Sequence, residues 1–284
     1  MDLGLTDKIV CITGGSRGIG LATACGFAAE RARVIICARN KDRLDEAVGR
    51  IREATGVTVD AVQTDVTSTA DIDTLVKHIE RQYGRLDILV NNAGTGIYKP
   101  FSQVTDDELL EGMSINFFAQ FRTTQRALAL LQKAERAVVI NVSGRTALRG
   151  NFPPGSSCTG PAKAAELRFS IDLATELAEY GIRVNCVVPG VVKSDDRFQL
   201  WERQAIGGDL DKQATDAVRQ EMEAVSVPAG QGWGRPEEVA DVIVFLASSR
   251  SSYVNGVALT VDGGPHNKSY VTQLYARPPA QDKK

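Results

Sequence analysis

The sequence predicts an open α/β fold: a parallel sheet wound with helices on both faces. Three observations carry that prediction. Short runs of β-branched and apolar residues alternate along the 284 residues with longer segments of helical spacing. The runs are apolar on successive positions, so both faces of each strand must be covered, as a parallel sheet requires. The first run, Ile9 to Thr13, breaks abruptly into Gly14-Gly15-Ser16-Arg17-Gly18-Ile19-Gly20, a tight turn into a helix. Glycine there permits φ > 0 and close approach to main-chain N–H groups, which with the helix dipole favour an anion such as a pyrophosphate.

The elements then follow in order. A helix is expected from about Gly18 to Glu30, and Arg33 to Ala38 forms the second strand. Lys41 to Thr55 reads as a helix with Leu44, Val48 and Ile51 on one face. Thr58 to Thr64 makes a third strand, and Asp71 to Tyr83 a helix with Ile72, Leu75, Val76 and Ile79 inward. Leu86 to Val90 is the fourth strand, closed by Asn91-Asn92-Ala93-Gly94. One long helical stretch, Thr105 to Leu131, precedes the fifth strand, Ala137 to Val142. A helix between Pro161 and Tyr180 stops at Gly181, and Arg183 to Val188 is the sixth strand, closed by Pro189-Gly190. Pro236 to Ser248 is helical, and Val257 to Val261 is the seventh strand. Right-handed crossovers make this a doubly wound, seven-stranded Rossmann-type sheet, with its ligand crevice at the carboxyl ends of the strands. A single domain over residues 1–264 is expected. Within it, 195–234 reads as a mobile lid; 265–284 reads as an extension whose last residues lack order.

Composition narrows the function. A net charge of −2 offers no attraction for nucleic acid or an anionic membrane. No apolar run reaches the roughly 18–20 residues of a membrane span, and the N-terminus shows no signal-peptide pattern. Five scattered cysteines and two distant histidines, His78 and His266, suggest neither a disulfide framework nor a metal cluster. The expectation is a cytoplasmic protein with a small-molecule substrate.

With these residues assembled, the chain resembles the short-chain dehydrogenases/reductases over about Leu5 to Gly264. The family's Thr-Gly-x-x-x-Gly-x-Gly turn stands as Thr13 to Gly20, and its adenine-side pair as Asp65-Val66. Its Asn-Asn-Ala-Gly is Asn91 to Gly94, its helix asparagine Asn116, and its nicotinamide-ribose lysine Lys163. The resemblance implies a cofactor held by Gly14, Ser16, Arg17, Gly18, Ile19, Gly20, Asp65, Val66, Asn92, Ala93, Gly94 and Lys163. After the second and sixth strands it adds Arg39, Asn40, Pro189, Gly190, Val192 and Ser194. NAD-selective members place a carboxylate after the second strand; here Ala38-Arg39-Asn40 offers a guanidinium suited to a 2′-phosphate, so NADP(H) is expected. Relatives pair their long helices between subunits, which implies a homodimer or homotetramer.

The catalytic centre departs from the family pattern. The family carries a tyrosine four residues before the lysine, and here that position is Thr159. The family's serine position after the fifth strand is Gly144, beside Ser143, and the connection to Lys163 is about two residues longer, with Pro153-Pro154 as the insertion. An alkyl hydroxyl is a far weaker acid than a phenol with a pKa of about 10, and a nearby ammonium moves a pKa by a few units at most. Thr159 is therefore either a helix N-cap before Gly160-Pro161 or a minor catalytic hydroxyl. Ser143 either faces the pocket or caps the strand. Tyr98, on the loop after Gly94, is either an aromatic wall or a replacement acid. The candidate catalytic set is Lys163, Asn116, Ser143, Thr159 and Tyr98. Cys158 has no histidine near it in sequence to activate a thiolate.

Three functions fit. The first is an NADP(H)-dependent oxidoreductase with an atypical centre. It would reduce a small carbonyl or, like the 2,4-dienoyl-CoA reductases that keep the lysine and lack the tyrosine, a conjugated enoyl thioester. The second is a non-redox dehydratase, isomerase or cyclase. The third is a nucleotide-binding, non-catalytic subunit.

Overall fold

The computed structural model describes residues 2–149, 155–193 and 234–264. Seven parallel strands form one sheet in the order β3-β2-β1-β4-β5-β6-β7. They are β1 (Ile9–Thr13), β2 (Arg33–Ala38), β3 (Asp60–Gln63), β4 (Ile88–Asn91), β5 (Val138–Val142), β6 (Arg183–Pro189) and β7 (Ala258–Val261). Among the described residues, the helices between them are α1 (Gly18–Ala29), α2 (Lys41–Thr55), α3 (Thr69–Tyr83), α4 (Asp106–Met113), α5 (Ala119–Leu131), α6 (Thr159–Glu176) and α7 (Pro236–Ala247). Strand order reverses between β1 and β4, so a crevice opens at their carboxyl ends.

Alternation within β1 explains the two layers. Val10 and Ile12 join the core beneath α1, α2 and α7, with Phe27, Ile36, Val90, Ile140 and Ile243. Ile9 and Cys11 join the core beneath α3, α5 and α6, with Ile35, Leu75, Leu89, Leu131 and Val184. Each large side chain buried this way contributes roughly 1.5–3 kcal/mol. Side chains also set the helix ends. Asn40 accepts from Arg43 N at 2.9 Å and Ser68 from Asp71 N at 3.3 Å, starting α2 and α3. Gly56 and Gly84 end those helices in the left-handed conformation.

Several expected boundaries are corrected. The third strand is shorter than Thr58 to Thr64, spanning Asp60–Gln63, and its ladder with β2 closes with the bond from Thr64 N to Ala38 O. The stretch from Thr105 to Leu131 is not one helix: a π-helical turn, Ser114–Phe118, separates α4 from α5. There Asn116 Nδ2 takes the Gly112 carbonyl four residues back, which displaces the regular ladder. Helix α6 begins at Thr159, before Pro161, so Thr159 lies in the first turn and is not its N-cap; that place is Cys158. The expected lid residues 195–233, Ser194, Pro153-Pro154 and the extension 265–284 lie outside the described residues. The chain leaves β6 at Val191–Lys193 and returns at Gly234, where Lys193 N bonds Gly234 O and Gly234 N bonds Val191 O. No helix among the described residues is long and apolar enough to cross a membrane.

Candidate active site

The glycine turn and the end of β4 close one side of the crevice. Thr13 Oγ1 accepts from both Asn92 N and Ala93 N at 3.0 Å, and Asn92 Nδ2 donates to Thr13 O at 3.0 Å and Gly14 O at 3.2 Å. Gly18 opens α1 at φ 53°, a backbone that side chains rarely adopt. A Cβ on Gly20 would sit 2.2 Å from Gly14 O and 2.5 Å from Asn92 Nδ2, so the turn folds this tightly only around glycine. The first turn of α1 carries no acidic residue, and Arg17 supplies no side-chain cap. A helix start of this kind, with its dipole facing the crevice, fits a pyrophosphate.

Beyond the turn, Arg39, Gln63, Asp65, Asp71 and Thr74 line a cavity of about 380 Å³ at the end of β2 and β3. Gln63 Nε2 holds the Arg39 carbonyl at 2.9 Å. Asp65 Oδ1 accepts from Thr67 N and Oγ1, and Asp71 accepts from Asp65 N at 2.9 Å, which with Ser68 holds its carboxyl below the usual range. Asn40 points its amide oxygen into the α2 cap, and Val66 is buried beside the cavity wall. Across the crevice, Gly190 N bonds Val261 O at 2.9 Å behind Pro189, and Val192 bridges to Gly234.

The catalytic candidates lie between β5, α6 and the loop after β4. Lys163 is 9% exposed, with Nζ 2.9 Å and 3.2 Å from the Glu166 carboxylate oxygens and 3.4 Å from Val142 O. A Cβ on Gly94 would come within 3.0 Å of that Nζ and 2.8 Å of Asn116 Oδ1, so the ammonium borders the crevice floor. Asn116 accepts from Thr95 N at 3.2 Å and donates to Thr95 O at 3.0 Å, fastening the loop after Gly94 to the π-turn. Ser143 Oγ donates to the Lys163 carbonyl at 2.7 Å, so its hydroxyl fixes the helix that carries the lysine.

Thr159 is buried and doubly engaged. Its Oγ1 accepts from Ile97 N at 2.8 Å and donates to Ile97 O at 2.9 Å. The Thr159 hydroxyl thus ties α6 to the loop 94–99. The next residue, Tyr98, is 9% exposed and folds its ring back over Gly96, where a Cβ would meet the phenol oxygen at 2.3 Å. Cys158 Sγ faces Glu108 O at 3.2 Å, and burial with the Glu108 and Glu111 carboxylates pushes the thiol up, away from a thiolate. Burial lowers the Arg145 guanidinium to about 10, which leaves it charged at neutral pH. The described residues contain no cluster of metal ligands.

The residue that sequence reasoning missed is Glu166. It is fully buried, and burial pushes its carboxyl up to about 7 against the opposing pull of the Lys163 ammonium and the Ser143 hydroxyl. The available signal was a Lys–Glu pair three residues apart on a helix.

A family model described as short chain dehydrogenase matches residues 8–205. Among curated relatives, the 3-oxoacyl-acyl-carrier-protein reductase FabG of Thermotoga maritima is 34% identical over 262 residues, covering 92% of this chain and 98% of the relative. Among solved structures, L-sorbose reductase from Gluconobacter frateurii, complexed with NADPH and L-sorbose, superimposes with TM-score 0.84 at 32% identity. That match covers 93% of this chain and 98% of the other. A variant of actinorhodin polyketide ketoreductase with NADPH gives TM-score 0.83 at 29% identity, covering 92% and 98%.

Proposed function

Because the chain belongs to the short-chain dehydrogenase family, we propose that it is an NADP(H)-dependent oxidoreductase acting on a small organic carbonyl. The observation that carries this reading is Lys163, a nearly buried ammonium set against Gly94 and Asn116 where β4 meets the crevice. A lysine there has little structural reason to exist and can both orient a ribose and face a developing oxyanion. The NADPH complexes of the sorbose reductase and the polyketide ketoreductase support the nucleotide. So does the absence of a carboxylate at Ala38-Arg39-Asn40.

The uncapped first turn of α1 would hold the pyrophosphate and Arg39 the 2′-phosphate, with Asp65-Val66 on the adenine side. When bound there, NADP(H) supplies or accepts the hydride. Lys163 stabilises negative charge on the substrate oxygen and holds a proton at Nζ for it. Asn116 keeps the loop after Gly94 in place, and Ser143 keeps the first turns of α6 against β5. Thr159 contributes by holding the loop 94–99, because its hydroxyl proton is already donated to Ile97 O while it accepts from Ile97 N.

That engagement also favours a second reading, reduction of a conjugated enoyl thioester. Its enolate is stabilised by hydrogen bonds and needs no strong acid beside the carbonyl. NADPH absorbance followed with a panel of ketones and enoyl thioesters tests both, alongside titration of NADPH and NADH. Oxidation of NADPH by a ketone and tighter binding of NADPH than NADH are expected. Substrate turnover without nucleotide oxidation would overturn the proposal in favour of a non-redox enzyme. Equal or tighter NADH binding would overturn the cofactor assignment.

A further inference from the structure

Glu166 stands one helical turn beyond Lys163 on α6 and is 0% exposed. Glutamate is rarely buried completely unless it is paired. Here the carboxylate takes two bonds from Lys163 Nζ. The backbone of the same residue is fixed as well: Ser170 Oγ donates to Glu166 O at 2.7 Å and itself accepts from Asn141 Nδ2 on β5 at 2.9 Å. The titratable groups facing the carboxylate are Lys163 on its own helix and Cys186 on β6, whose thiol burial pushes up to about 12.

Stability does not account for this arrangement. A buried ion pair gains about as much from its Coulomb attraction as it loses in desolvation, and apolar replacements are often neutral or better. Geometry supplies another reason. Two carboxylate oxygens and the Val142 carbonyl surround Nζ from the core side, while Gly94 and Asn116 border it from the crevice. The lysine is long and flexible, and these contacts fix its head at one place.

We propose that Glu166 is a positioning residue that anchors the Lys163 ammonium at the crevice floor, where it meets the nicotinamide ribose and the substrate oxygen. This rests on the reading of the crevice as a nucleotide site. Because burial brings the carboxyl to about 7, the anchor is charged above neutrality and neutral below it, and its hold on the ammonium weakens as the pH falls.

The test is fluorescence titration of NADPH into the full-length protein and its Glu166→Gln variant between pH 6 and pH 8. Comparing the two proteins cancels the titration of the nucleotide's own phosphate. The wild type should bind no more than about twofold tighter than the variant at pH 6 and at least about fivefold tighter at pH 8. A purely structural residue would lower the melting temperature and leave that ratio independent of pH. Equal affinities throughout, or a flat ratio, would overturn the proposal. Should Glu166→Gln fail to melt cooperatively, Glu166→Asp, which withdraws the carboxylate by one methylene, takes its place. Glu166→Asp should bind NADPH more weakly than the wild type at pH 8, and wild-type affinity would overturn the proposal. If the wild type itself binds no NADPH at any pH, the nucleotide reading falls and this inference with it.

Discussion

Replacing Thr159 with valine separates a structural role for this position from an acid–base one. Valine keeps the branched shape and loses the hydroxyl that accepts from Ile97 N at 2.8 Å and donates to Ile97 O at 2.9 Å. Thr159 is 2% exposed and Ile97 9%, so both backbone groups of Ile97 would be left unpaired in a nearly dry site. Each such group costs about 1–3 kcal/mol. With partial relaxation of the loop toward the crevice, the net loss should be about 2–4 kcal/mol, or roughly 4–16 °C in melting temperature for a chain of this size. Thr159→Ser retains the hydroxyl and should stay within about 1 kcal/mol of the wild type. The assays are urea and thermal unfolding, followed by NADPH oxidation below the melting transition. A neutral hydrogen bond is worth roughly three- to tenfold in rate, so folded Thr159→Val should lose no more than about tenfold. A thousandfold rate loss in a variant as stable as the wild type would show that Thr159 takes part in the chemistry.

Other outcomes follow from the same structure. Gly18→Val forces a β-branched residue to φ 53° at the mouth of α1 and should weaken NADPH binding by about a hundredfold or more while the protein remains folded at room temperature. Normal binding by this variant would make the glycine turn purely structural. Burial raises Glu166 from 4.5 to about 7, so the native state holds a proton that the unfolded chain has released. Its contribution to stability is full below about pH 4.5 and is lost as the pH rises through about 7, a change of about 3 kcal/mol. Unfolding at pH 5 and pH 8 should show the wild type losing that much relative to Glu166→Gln, and parallel pH curves would contradict it. Phe121 on α5, packed against Phe117 and Phe169, and Ile171 on α6 are 41% and 37% exposed. Sedimentation should give a dimer or tetramer, and a stable 30.6 kDa monomer at micromolar concentration would refute the assignment.

The sheet was legible because its signals are local. Unbroken apolar runs such as Val34 to Ala38 and the caps around Lys41 to Thr55 each lie within a few residues of what they determine. The glycine turn was legible for the same reason. What sequence reasoning missed depends on partners far along the chain. Thr159 reads as either an N-cap before Pro161 or a minor catalytic hydroxyl, yet its hydroxyl bonds Ile97, 62 residues away. The stretch through Asn116 reads as continuous helix, because nothing local reveals that the asparagine reaches back to both Gly112 and Thr95. Glu166 went unread, since spacing alone does not show that this face of α6 turns toward β5 and β6.

The central claim is that hydride transfer in this protein is organised by Lys163 without help from an acidic hydroxyl at position 159. The most direct measurement is NADPH oxidation by Lys163→Ala beside Thr159→Ser and the wild type, on whichever ketone or enoyl thioester the panel identifies. Lys163→Ala removes the ammonium that borders Gly94 and faces the developing oxyanion, and should cut kcat/KM by about a thousandfold or more, while Thr159→Ser stays close to the wild type. Full activity in Lys163→Ala would contradict the account and point to chemistry other than hydride transfer.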